Sequence, residues 1–161
     1  MKKAFLSMLI VLSIIVAKAQ NTGIDKITSS YMGVKNALVG SNAPLVKTRS
    51  AELLAALSAP VKGLQPGQQK LMTTYLQKLK FDSRHMSENG ALDHQREHFE
   101  NLSKNMYALL SGLKLNSTTI YQQYCPMKKA AWLSETEEIR NPYYGDDMLE
   151  CGKVTATLKG Q

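Results

Sequence analysis

The sequence predicts a mainly α-helical protein, an antiparallel four-helix bundle with an irregular or short-stranded C-terminal appendage. Three observations predict it. Apolar residues recur at spacings of three and four in four segments, turn-forming residues separate those segments, and the helical period is lost after Lys114. A stripe at that spacing lies on one side of a helix and has to be buried against another element.

The first stripe is Ile24, Ile27, Tyr31, Val34 and Leu38, ended by Gly40-Ser41-Asn42. Asn42 is placed to cap a second helix with Pro44 in its first turn, and Leu45, Val46, Leu53, Leu54 and Leu57 form its buried side. Pro60, Gly63 and Pro66 close that segment. A third helix is expected from about Gln68 to Glu88, with Leu71, Met72, Tyr75, Leu79 and Met86 inward and a stop at Asn89-Gly90. In the fourth, Phe99, Leu102, Met106, Leu109, Leu110 and Leu113 face inward, Asp93 is placed to cap the start, and Gln95 falls on a charged outer face. Beyond Lys114, Thr118 to Tyr124 is rich in β-branched and aromatic residues and reads as extended. Ser134 to Glu137 has capping-box spacing for one short helical turn, and Asn141-Pro142 with Gly145 marks a turn.

Residues 1–19 read as a signal peptide. Met1-Lys2-Lys3 is the positive n-region, Ala4 to Val16 the apolar h-region, and Ala17-Lys18-Ala19 the small-residue cleavage site, so cleavage is expected before Gln20. Residues 20–161 then form a single helical domain, with bundle helices over 20–114 and the cysteine-containing appendage over 115–161. An apolar run of thirteen residues is shorter than the roughly 20 needed to span a bilayer. A stable membrane anchor is therefore not expected, and the location expected is the periplasm or outside the cell. Three lysines leave with the signal, which reduces the formal charge of +7, and Lys128-Lys129 is the longest basic run in the remainder. That pattern gives no nucleic-acid footprint.

The appendage carries the residues that suggest chemistry. In an extended backbone Cys125 and Met127 share a face, and Met148 and Cys151 come together at a turn or helical spacing. Thiolate and thioether are soft donors that suit Cu(I). Two cysteines in an exported chain are equally the material of a disulfide, and both readings stay open. His94 and His98, four apart on the fourth helix, share one side of it, a recurrent way to hold a metal, whereas two solvated histidines on a charged face are the bland alternative. His85, near the end of the third helix, is the less favoured donor. Trp132 is expected to anchor the tail, and Asn141 to Gly145 to turn the chain so that Cys151 meets Cys125. Trp132, Tyr143 and Tyr144 could also line a groove. A glycine-rich phosphate loop, a His-Glu-x-x-His motif and a serine elbow are all lacking, so no enzyme is expected.

Across Leu92 to Phe99, Tyr124 to Met127, Ala131 to Ser134 and Ile139 to Gly152, the chain resembles a domain family without assigned activity. That family occurs alone in exported proteins of Gram-negative bacteria and appended to periplasmic adaptor subunits of copper and silver efflux pumps. The resemblance implies a periplasmic helical domain in a heavy-metal context. It adds weight to Cys125, Met127, Met148 and Cys151 as a cluster binding Cu(I) or silver, completed by His94 or His98 if the tail docks on the fourth helix. The partners it implies are the metal ion and a heavy-metal efflux adaptor or other periplasmic protein. The alternative is a disulfide-stapled, non-catalytic interaction module. N-terminal sequencing of periplasmic protein should begin at Gln20; an intact Met1 chain in the membrane fraction would contradict the export reading.

Overall fold

The computed structural model describes residues 22–161. The expected signal peptide and its expected cleavage site lie outside them. Four helices come first: α1 (Thr22–Val39), α2 (Ala43–Ser58), α3 (Pro66–Glu88) and α4 (Leu92–Leu113). Strands β1 (Ile120–Cys125) and β2 (Ala130–Ser134), a 3-10 turn (Gly145–Met148) and β3 (Lys153–Leu158) follow. The protein is thus mainly helical, with a small antiparallel sheet in the order β2-β1-β3 at its C-terminal end. No helix among the described residues is long and apolar enough to cross a membrane.

The apolar stripes explain the helices. Ile24, Ile27, Tyr31, Val34 and Leu38 of α1 are all buried, as are Leu102, Met106, Leu109, Leu110 and Leu113 of α4. Asn42 caps α2, its side-chain oxygen accepting from Leu45 N at 3.0 Å. Leu45 itself stands out toward solvent, 38% exposed, because the buried side of α2 is set by Val46, Ser50, Leu53 and Leu57. Helix α1 is buried well beyond its apolar stripe, with Thr28, Ser30 and Lys35 also enclosed. Burial lowers the Lys35 pKa, and Arg140 adds to this while Glu135 and Glu138 oppose it, so the chain just after β2 lies over this side of α1.

Glutamine amides pin α3 to α4 at both ends. Gln95 is fully buried, and its side-chain nitrogen donates to Ala43 O (3.2 Å), Met86 O (3.4 Å) and Asn89 O (2.8 Å). At the other end the Gln68 amide donates to Leu113 O at 3.3 Å. Two expectations for α4 are corrected here. Gln95 belongs to the interior, where it takes up carbonyls that the end of α3 leaves without helical partners. Asp93 is not the cap either: the helix begins after Ala91, whose N–H donates to the Asn89 side chain at 2.8 Å, and Asp93 falls in the first turn.

The tail is an ordered sheet whose β2 edge is covered from the helical side. Leu133 N donates to the Tyr31 hydroxyl at 3.1 Å, and the Tyr143 hydroxyl donates to Ala131 O at 2.7 Å. Tyrosine thus takes up edge groups that would otherwise be open to another strand. Ser134 closes β2 instead of starting a helical turn: its hydroxyl accepts from Thr136 N at 3.2 Å, a local bond that competes with helix formation. Leu109→Ala should destabilise the protein by about 2–5 kcal/mol. Gln95→Ala should cost about 1–3 kcal/mol, because three carbonyls lose a donor. Chemical denaturation checks both, and a silent Gln95→Ala would contradict the buried tie.

Candidate metal centre

The α3–α4 pairing gathers all three histidines of the chain. One donor nitrogen from each of His85, His94 and His98 lies within 4.8 Å of the others, and all three residues are partly buried. The His85 and His98 rings stack at 4.6 Å between centroids, and His94 meets His98 edge-on at 4.6 Å. Positions 94 and 98 share one side of α4 because a helix repeats every 3.6 residues. His85 comes from α3, across a link of only Asn89, Gly90 and Ala91.

Behind the cluster sits a carboxylate. Asp82 is buried, and its Oδ1 is 2.9 Å from His98 Nδ1. When Nδ1–H donates to the carboxylate, the free lone pair of His98 is left on Nε2, the arrangement by which a carboxylate orients a metal-binding imidazole. Burial raises the Asp82 pKa, and the His98 hydrogen bond pulls it back. Phe81 packs at 4.3 Å from the His85 ring and 5.9 Å from that of His98, yet remains 56% exposed, so it roofs the cluster from outside.

The sulfur residues take a different arrangement. Cys125 is fully buried at the end of β1, and its sulfur lies 2.9 Å from that of the half-buried Cys151, with the two thiols free. Burial pushes the Cys125 thiol up, but hydrogen bonds from Cys151, from the Lys128 and Met127 backbone and from Asn141 hold it below its ordinary value. The same contact with Cys125 raises Cys151. The contact therefore favours ionisation at Cys125 over Cys151.

Asn141 builds this approach. Its side chain donates to Cys151 O at 2.9 Å and accepts from Tyr143 N at 2.8 Å, while its backbone N donates to Leu149 O at 2.8 Å. Gly152 is needed next to the pair, since a Cβ there would stand 2.8 Å from the Trp132 ring.

Several expected site residues are redistributed. Met127 does not share a face with Cys125: the strand ends at Cys125, the chain turns through Pro126 to Lys129, and Met127 is 66% exposed. Met148 ends the 3-10 turn, half-buried, and its carbonyl accepts from Cys151 N at 3.1 Å. Trp132 and Tyr143 are buried and pack edge to face, 6.0 Å between centroids, and the half-buried Tyr144 lies against the same core.

The tail does dock on α4, but on another side from the histidines. Arg96 donates to Pro142 O at 3.1 Å, and Glu100 faces Lys128 at 3.8 Å. Helical geometry puts Glu100 about 200° around the axis from His98. The expected composite of cysteines and histidines thus separates into an imidazole cluster and a thiol pair. Met72 and Met106, both buried, are core.

A mainly helical protein with a small C-terminal sheet and a convergent three-imidazole cluster is the class that fold and site define. Residues 27–118 match the model of a family described as a protein of unknown function, DUF3347, and the chain belongs to that family. The match spans more than half of the chain and takes in Asp82 and all three histidines. It ends just before β1, so Cys125 and Cys151 fall beyond it. No curated protein and no solved structure matches the chain.

Oxidised glutathione should convert the Cys125–Cys151 thiols to a disulfide, the chain giving up two hydrogen atoms and the oxidant leaving as two molecules of reduced glutathione, read as a mass decrease of the chain. Closing the loop should stabilise the protein by about 3–4 kcal/mol on the chain-entropy model. Unchanged mass with both thiols still titratable would contradict the pairing.

Proposed function

We propose that this protein is a metal-binding module of the periplasm, acting in heavy-metal handling, and that its ion sits at His85, His94 and His98. The convergence of three imidazoles from two helices, one of them backed by Asp82, is the observation that carries this reading. The ion proposed is copper. Imidazole suits both copper and zinc, and of the two copper is the ion favoured by the heavy-metal context that the sequence resemblance implies. The earlier expectation of Cu(I) or silver on thiolates moves accordingly to copper on nitrogen, with silver the weaker cargo.

The four helices are read here as an antiparallel bundle that serves as the rigid frame for those ligands. In this reading the module is not an enzyme. It holds or passes on the ion, and an efflux adaptor or another periplasmic protein is the partner that receives it.

A second role fits the thiol pair. Sulfurs 2.9 Å apart on a buried Cys125 favour a disulfide staple for the C-terminal sheet. In an oxidising compartment such a pair closes. The staple and the metal centre occupy different parts of the molecule, so a protein with its cysteines joined should still bind copper.

Competition against a chromogenic Cu(I) chelator tests this. The disulfide-bonded wild type should take up one equivalent of copper. Asp82→Asn should weaken binding by about 10- to 100-fold, the range seen when an outer-shell partner is lost. His98→Ala should weaken it further, and Met127→Leu with Met148→Leu should leave it unchanged. Binding that disappears on disulfide formation, or that follows the methionines, would contradict the imidazole centre.

A further inference from the structure

We propose that the three-imidazole centre keeps a coordination position open, and that the crevice running on from it between α3 and α4 is the subsite for a small dicarboxylate that fills that position. The inference rests on the metal reading above and specifies the ligand class of the same site.

Three donors are what the cluster supplies. Among the described His, Cys, Asp and Glu residues the converging group is His85, His94 and His98, and the Asp82 carboxylate is already engaged by His98. Closed structural sites for a tetrahedral ion use four protein ligands, whereas three protein ligands leave one position for water or an added ligand. All three histidines are partly exposed, so that position faces outward and not into the core.

The crevice is a continuation of the same interhelical face. It has a volume of about 410 Å³ and is lined by Gln77, Lys78, Phe81, Asp82, Asn101 and Asn105. Asn101 and Asn105 follow His98 at helical spacings of three and seven, and Asp82, Phe81 and Lys78 precede His85 at three, four and seven. Each set therefore extends its histidine's side of the helix by up to two turns. Phe81 and Asp82 belong to both regions: they line the crevice and touch the imidazole cluster.

The lining selects the ligand. Lys78 brings a cation, and Gln77, Asn101 and Asn105 bring amide donors, a set that recognises carboxylate oxygens. An ion at the imidazoles supplies a second positive charge. The Asp82 carboxylate opposes an anion on the crevice side, but its negative charge is shared with the His98 N–H. A positive ion at the imidazoles and the Lys78 ammonium, seven residues from His85 along α3, would together fit a ligand carrying two separated carboxylates, one on the metal and one at Lys78.

The full exported chain, loaded with Co(II) as a spectroscopic stand-in, tests the proposal by titration with succinate and acetate. Succinate should change the visible bands saturably and bind at least about 10-fold more tightly than acetate, with the cobalt still protein-bound after ultrafiltration. Lys78→Ala, remote from the metal ligands, should abolish that advantage while leaving Co(II) uptake intact. Visible bands that ignore both acids, or a succinate preference that survives in Lys78→Ala, would overturn the dicarboxylate subsite with metal binding still standing. Failure of the wild type to take up Co(II), with no copper bound either, would instead overturn the metal reading and this inference together.

Discussion

The register of α3 against α4 is the constraint on which the rest of the structure depends, and buried amide hydrogen bonds set it. Gln95 holds the carbonyls of Met86 and Asn89 at one end of the hairpin, and Gln68 reaches Leu113 at the other. A helix that slid along its partner by one turn would leave those carbonyls buried without donors, at a cost of about 1–3 kcal/mol for each group. Apolar packing alone tolerates such slips far better, because leucine and methionine side chains repack. The polar ties therefore fix which turn of α3 faces which turn of α4. His85 meets His94 and His98 as a consequence, and Asp82 comes within reach of His98.

The C-terminal sheet is held to the helices by the same kind of tie. Tyr31 and Tyr143 each offer a phenol at the β2 edge, and Tyr31 also meets the Ser103 hydroxyl of α4 at 2.7 Å. Burial raises the Tyr31 pKa well above that of a free phenol, so it stays neutral and remains able to donate and accept. Its ring stacks on Phe99 at 5.3 Å, which joins α1, α4 and the sheet at one point. The thiol pair lies on this second unit of the architecture, at the junction of β1 with the chain entering β3, and has no part in holding the imidazoles in place. Its sulfurs, 2.9 Å apart, are placed for the staple proposed above.

Much of the helical framework was legible in the sequence, because burial of one helical face leaves a period that residue order records. The Asn42 cap and the Gly40–Asn42 break were legible for the same reason, being local. Gln95 was not: on a helical wheel it resembles any polar residue among charges, and only the arriving end of α3 makes its position interior. The histidines were half legible. Their spacing marks His94 and His98 as a pair, but His85 becomes an equal partner only through the tertiary register, which neither helix carries alone. Met127 was misplaced because the extended geometry assumed for Cys125-Pro126-Met127 stops at Cys125, where the chain has to turn to pair β1 with β2. Trp132, Tyr143 and Tyr144 have the composition of a binding groove and of a packed interior alike, and residue type cannot separate the two. Asn141 marks a turn in the sequence, yet its three hydrogen bonds around Cys151 depend on distant carbonyls.

Nitrogen, not sulfur, is the donor proposed for the ion. X-ray absorption at the copper edge, on disulfide-bonded protein carrying one equivalent of Cu(I), addresses it most directly, because imidazole rings give a characteristic outer-shell scattering pattern and sulfur gives a longer, heavier first shell. A first shell of nitrogen donors with the scattering signature of about three imidazoles is expected. A first shell dominated by sulfur, or one lacking the imidazole pattern, would contradict it.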